Sequence, residues 1–222
     1  MNDNFVDEHR PGGGTDGGRM RRIRWWMGVA TAVLAVGVPW LMVSSLPAGE
    51  RTYAGIAGPT QLLVSIVVPC ITVLLAREAG RPAASALLRA VGTAAGFGAA
   101  ASAGSAVAAT VGGGPWQHTA VVAIGGIAVQ VGAGLVGFGL GLVFRSPLLA
   151  CPATVVLPIG AWLALSAVPG AQAWLTPLGA NQALLAGDAG ALPRWLVMAA
   201  VWGGVLIALG ARLSRRRVGA AG

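Results

Sequence analysis

The stretch Thr119–Phe144 reads TAVVAIGGIAVQVGAGLVGFGLGLVF, without one charged side chain and with Gln130 near its middle. A hydrocarbon core about 30 Å thick takes about 20 apolar residues at 1.5 Å rise each, so this stretch predicts a helix that crosses a bilayer. Five more stretches of similar character lie to either side: Trp25–Ser45, Ala57–Ala76, Ala90–Val111, Leu148–Val168 and Trp195–Ala211. The last is the shortest, but Trp195 and Arg212 bracket it as aromatic and basic anchors do at an interface. Composition agrees, with 55% of the 222 residues hydrophobic, 10% charged and a mean hydropathy of +0.74. The expected fold class is an all-α integral membrane protein of six transmembrane helices. Trp25–Ser45 reads as a retained first helix, since it is long for a signal peptide and Val43-Ser44-Ser45 is a weak processing site.

All 15 basic residues are arginine, set against 7 acidic residues for a net charge of +8. Thirteen of them fall in the amino-terminal tail, in the links after spans two and four, and in the carboxy-terminal tail; the opposite links hold Arg51 and Arg194. The positive-inside rule therefore puts both termini in the cytoplasm and predicts a multi-pass protein of the cytoplasmic membrane. Arginines that bracket apolar spans are a topology signal, and they argue against nucleic acid as a partner. Without a lysine the chain cannot form a phosphate-cradling G-x-x-x-x-G-K-[ST] loop, so ATP-driven work would need a partner chain. Cys70 and Cys151 lie in apolar runs outside any C-x-x-C pair, and read as small buried hydrophobes. No span holds a carboxylate, and serines such as Ser65, Ser102 and Ser105 have no histidine or lysine base beside them in the membrane. No enzyme chemistry, metal or cofactor is expected.

Residues 1–24 read as a disordered, glycine-rich, basic tail, residues 25–213 as one membrane domain and residues 214–222 as a second basic tail. In the third span 18 of 22 residues are Gly, Ala, Ser or Thr, and Gly92, Gly96, Ala100, Gly104 and Ala108 recur every fourth position. That ladder predicts a helix packed closely by its neighbours inside the bundle. Gln61 in span two and Gln130 in span four are candidates for lining a pathway; an amide at that depth must pair with another helix or face a wet cavity. Pro39, Pro69, Pro152 and Pro158 each leave a helix carbonyl without its usual donor. The link Pro169 to Pro193, with Trp174 and Trp195 toward its ends, reads as a segment lying in the outer interface. On the other side, Pro82 opens a short helix over Ala83 to Ala90.

Three stretches carry a resemblance. Arg77-Glu78-Ala79-Gly80 followed by Ala86-Leu87-Leu88-Arg89, the glycine-rich Gly137 to Ser146, and Trp174 to Leu184 with Trp202 to Arg217 behind it resemble the permease subunit of type-two ATP-binding-cassette (ABC) exporters. The likeness is to the small six-span kind of high-GC Gram-positive bacteria, and it covers roughly residues 57 to 217. It implies a permease domain over 25–213 that works with a separate ABC ATPase subunit and a second permease chain, as homodimer or heterodimer, surrounded by membrane lipid. It also implies that Arg77, Glu78, Gly80, Leu87 and Leu88 couple to the ATPase through a short helix after span two, and that Trp174 to Leu184 is a re-entrant segment. The cargo expected is a hydrophobic or amphipathic compound moved outward. A non-transporting membrane partner, an immunity or regulatory subunit assembling through small-residue helix faces, is the alternative.

Overall fold

The structure, a computed structural model, describes residues 15–78, 83–116 and 118–219. Among the described residues the regular structure is all helix. Among the described residues six helices are long and apolar enough to cross a membrane, over Arg21–Ser45, Tyr53–Ala76, Ala84–Gly112, Thr119–Val143, Pro147–Ala164 and Ala189–Leu213. These coincide with the six apolar stretches, and the layout is that of a multi-pass membrane protein.

The first helix, α1 (Thr15–Ser45), starts well ahead of Trp25, so the tail expected to be disordered is helical from Thr15; residues 1–14 lie outside the described part. It is followed by α2 (Tyr53–Ala76), α3 (Ala83–Gly112), α4 (Thr119–Val143) and α5 (Pro147–Ala164). Thr52 and Ser146 cap α2 and α5 by accepting from the amides of Gly55 and Leu148, which satisfies donors that a helix start leaves unpaired. Two short helices, α6 (Pro169–Leu175) and α7 (Pro177–Leu185), lead to α8 (Leu192–Ala199). One π-helical turn, Ala200–Gly204, joins α8 to α9 (Val205–Gly219), which carries helix through most of the expected basic tail.

The axis of the bundle is α4, packed by α2, α3, α5, α7 and α9. Its glycines explain how one helix can have so many close neighbours. A Cβ on Gly141 would stand 2.8 Å from the Val73 carbonyl of α2, one on Gly134 2.8 Å from Ala94 of α3, and one on Gly139 2.6 Å from Leu206 of α9. Backbones approach because no side chain stands between them, the usual basis of helix association where lipid removes the hydrophobic drive. At the charged end, Ile71, Leu75, Ala86, Ala90 and Phe138 form a buried cluster; at the opposite end Tyr53, Ile56, Ala108, Ala109 and Val122 form another, with Tyr53 stacked on Trp116.

The four-residue ladder on α3 does not pack as one face. Gly92, Gly96 and Ala100 are exposed, Gly104 is half-buried and Ala108 is buried. The reason is geometric: four residues overshoot a full helical turn by about 40°, so five rungs sweep about 160° around the helix. The buried face of α3 is instead Ala94, Gly98, Ala101, Ser105 and Ala108. Of the three ladder glycines, Gly104 is the one that meets a neighbour inside the chain. It rests on the carbonyl of Ala35, which Pro39 leaves without its helix donor.

Candidate functional site

The charged end is organised around Glu78. The helix α2 stops at Ala76, and the Glu78 amide folds back onto the carbonyl of Leu75. This turns the Glu78 carboxylate toward both neighbouring helices: its Oε2 accepts from Arg89 of α3 at 2.5 Å, and its Oε1 pairs with Arg24 of α1. The carboxylate is 19% exposed, and the two arginines 35% and 38%. The adjacent Arg77 reaches the other way, donating from Nη1 to the Phe144 carbonyl at 3.0 Å and from Nη2 to the Arg145 carbonyl. A cation on the last carbonyls of a helix complements the negative end of its dipole, so Arg77 caps α4. Two consecutive side chains thus tie the end of α2 to α1, α3 and α4.

Of the expected coupling residues, Arg77 and Glu78 stand at this junction, and Gly80 lies outside the described residues. Leu87 packs against the buried cluster, whereas Leu88 is 73% exposed. The short helix expected over Ala83 to Ala90 is not a separate element. It forms the first turns of α3, because no breaker separates Ala90 from the small-residue run that follows. Sequence reasoning counted Arg24 and Arg89 as topology charges and missed them as partners of Glu78; their nearness depends on how α1 and α3 flank α2.

The two glutamines do meet, but as a staple. Gln130 donates from Nε2 to the carbonyl of Gln61 at 2.7 Å and to its Oε1 at 2.9 Å, and Gln61 donates to the Gly98 carbonyl and to Ser102 Oγ, both at 3.0 Å. Both side chains are 0% exposed. A Cβ on Gly126 would collide with the Gln61 amide, and one on Gly98 would stand 2.8 Å from the Ile127 Cα and 3.2 Å from the Gln130 side chain, so both glycines let the helices bearing the pair come close. Three helices close over these amides in this chain, and Gln130 Oε1 is left without a partner.

Between spans five and six α6 stays at the edge with no buried residue, while α7 turns into the bundle and buries Ala180, Asn181, Leu184 and Leu185. Thr176 ends α6 and begins α7; its hydroxyl donates to the Gln172 carbonyl at 2.7 Å and accepts from the Gly179 amide at 3.1 Å. Trp202, in the π-helical turn, donates Nε1 to the carbonyl of Leu175 at 2.7 Å. The far end of α7 closes on Gly187, whose φ of 88° suits glycine, with the Asp188 amide reaching the Ala183 carbonyl. Leu184 and Leu185 are buried, and Leu184 lies over Gly125 of α4, where a Cβ would stand 3.2 Å from its carbonyl. Trp195, expected as an interfacial anchor, instead turns its Nε1 against Gly132, buried and unpartnered.

Beside this hairpin is a cavity of about 250 Å3 walled by α2, α4, α5, α7 and α8. In α5, Ala150 and Thr154 are the buried residues, and its later turns are half-buried or exposed. Ser65, Pro69, Gly132, Thr154, Pro158 and Asn181 are among the lining residues, and none of the lining side chains is ionisable. Cys70, half-buried, approaches the Thr154 hydroxyl at 4.0 Å, and both cysteines are free. Among the described residues no three His, Cys, Asp or Glu side chains come together to hold a metal.

The fold and its buried features define a six-helix, multi-pass bundle with a helical hairpin set into it. Comparison with protein-family models, curated proteins and solved structures finds no match.

Proposed function

We propose that the chain is the membrane-spanning subunit of an ATP-driven ABC exporter of the cytoplasmic membrane. It works with a separate ATPase subunit and a second permease chain. The observation that carries this reading is the tie of Glu78 to Arg24 and Arg89, with Arg77 on the end of α4. It fixes the loop after span two to three other helices, as a device that passes motion into a membrane bundle requires. The α6–α7 hairpin set against Gly125 is consistent with the re-entrant segment that the resemblance implies. The tails and the links after spans two and four, which include Arg24, Glu78 and Arg145, carry thirteen of the fifteen arginines in sequence, and by the positive-inside rule this supports cytoplasmic termini and an ATPase docking on that side. In this reading ATP binding by the partner favours one arrangement of the α2–α3 turn, and the rest of the bundle follows by population shift.

The exposed run Gly92, Gly96 and Ala100 favours a second reading. A non-transporting subunit would use such a face to hold another membrane protein. Purification of the tagged chain from its own membrane, followed by mass spectrometry, separates the two. Co-purification of an ATPase with a phosphate-binding loop, near one to one, supports the permease. Recovery with an unrelated membrane protein and no ATPase overturns it in favour of the assembly role.

A further inference from the structure

We propose that the groove between α1, α2 and α3 at the charged end of the bundle is a binding site for one anionic phospholipid. Its phosphate would rest on Arg24 and Arg89, and one acyl chain would run past Gly28 and Gly92 to Phe97. The groove has a volume of about 670 Å3, inside the range of about 300 to 1,000 Å3 typical of small-molecule sites. Two arginines head it, and no carboxylate is among its lining residues. Below them the wall is apolar, with Ile71 and Leu75 from α2 and Phe97 from α3. Gly28 and Gly92 give it depth, since a Cβ on either would meet nothing within 4 Å.

The two ends of the groove match the two ends of a lipid. Arg89, Thr93 and Phe97 line it at every fourth residue, so on α3 the lining runs along the helix axis for about 12 Å. The apolar span of α3 is 29 residues, about 43 Å long. Centred on a hydrocarbon core of about 30 Å, it leaves about 7 Å in the headgroup layer at each end. Arg89, about 8 Å along that span from Ala84, therefore stands where the core meets the headgroups. Each guanidinium gives one Nη to Glu78 and has five N–H groups in all, so donors remain for a second anion. An arginine fork suits a phosphate, which it can grip with two parallel hydrogen bonds. A choline or ethanolamine head would bring a further cation beside the two arginines, so a lipid of net negative charge fits better. Free phosphate would leave the apolar part of the groove unfilled. The site is complete within one chain and needs no ATPase, so it stands or falls apart from the exporter reading.

The test uses two photoreactive lipids on the full-length protein in nanodiscs of phosphatidylcholine. One is a phosphatidylglycerol bearing a diazirine in one acyl chain; the other is a phosphatidylcholine with the same chain. The phosphatidylglycerol is expected to label residues 92–97 and to exceed the phosphatidylcholine there by at least about fivefold, the effect of one basic residue on an anionic lipid. On the outward side chains Val156 and Leu163 of α5 the two should be level. Gly92→Leu fills the groove from α3 and keeps both arginines. It should abolish the excess and leave the melting temperature unchanged, because the new side chain enters open space. Gly28→Leu fills the same groove from α1 and covers the case in which Gly92→Leu does not fold. Equal labelling of residues 92–97 by the two lipids in the wild type overturns the proposal. So does an excess that survives both leucine variants, which would mean attraction to the arginine-rich surface without a seat in the groove.

Discussion

Gln130 of α4 donates its side-chain amide to both the carbonyl and the side-chain oxygen of Gln61 on α2, at 2.7 and 2.9 Å. The pair is asymmetric in what it leaves behind. Gln61 is bonded on both sides, to Gln130 and to Gly98 and Ser102 of α3, while Gln130 keeps an orphan Oε1. Removing Gln61 strips two helices of partners; removing Gln130 strips one and also removes a buried unpaired oxygen.

Gln61→Met should therefore cost more than Gln130→Met, with Gln61→Met losing about 1 to 2 kcal/mol and Gln130→Met less than about 1 kcal/mol, the scale of buried polar contacts between membrane helices. The double variant should cost less than the two together, because they share one interaction. Reversible denaturation in mixed micelles reads all three. A Gln130→Met loss larger than that of Gln61→Met would mean that Oε1 has a partner, as a solvated pathway would provide.

Gly137 and Gly96 offer a sharp contrast within the small-residue theme. A Cβ on Gly137 would run into the Pro69 carbonyl and the Thr72 hydroxyl, while one on Gly96 meets nothing within 4 Å. Gly137→Ala should destabilise by about 1 to 3 kcal/mol, as forced overpacking does, and lower the folded yield. Gly96→Leu should melt like the wild type. Loss of melting temperature in Gly96→Leu of the isolated chain would show that this face packs inside the bundle after all.

The six spans were legible because a run such as Thr119–Phe144, uncharged throughout, has few other places to go. What each glycine touches was not, since spacing along one helix says nothing of which neighbour stands opposite. The α3 ladder shows the limit: five rungs at equal spacing look like one face on paper and sweep from exposed Gly92 to buried Ala108 in space. Gln130 was legible as a polar group in need of a partner, but the choice of Gln61 depended on how α2 and α4 close on each other. Asn181 was hidden for a related reason. In a proline-punctuated link it reads as a loop residue, and its burial follows from α7 turning inward behind the Thr176 cap.

The ion pairs of Glu78 make it a poor first choice for probing a docking surface. Glu78→Arg would set a third cation beside Arg24 and Arg89 and disturb the junction itself. Leu88, exposed on α3, is cleaner. Leu88→Glu should leave the melting temperature unchanged and reduce recovery of an ATPase in pull-down at least severalfold. Undiminished recovery would remove Leu88 from the coupling surface.

Sidedness is tested by single cysteines in a background where Cys70 and Cys151 are replaced by alanine. Ala48, in the exposed turn between α1 and α2, should react in intact cells with a membrane-impermeant maleimide when changed to cysteine. Ser214, near the end of α9, should react only after the cells are opened. The reverse pattern overturns the cytoplasmic placement of the termini that the arginine distribution predicts.

Trp202 holds the hairpin from below. Its Nε1 takes the carbonyl of Leu175, where α6 ends and the next amides turn to Thr176. The π-helical turn Ala200–Gly204 contains Trp202, and such turns insert an extra residue that redirects a side chain. Trp202→Phe keeps most of the ring and deletes the donor, leaving the Leu175 carbonyl without that partner. The expected loss is about 1 kcal/mol, and it should appear locally: faster hydrogen exchange across Pro169–Leu185, with α2 and α4 protected as before. Trp195→Phe is the matched control, because its Nε1 has no partner to lose, and it should leave stability the same or slightly higher. If Trp195→Phe proves the more damaging of the two, the buried indole N–H near Gly132 is bonded to a molecule in the cavity region, and the pairing assigned to the hairpin is not what holds it.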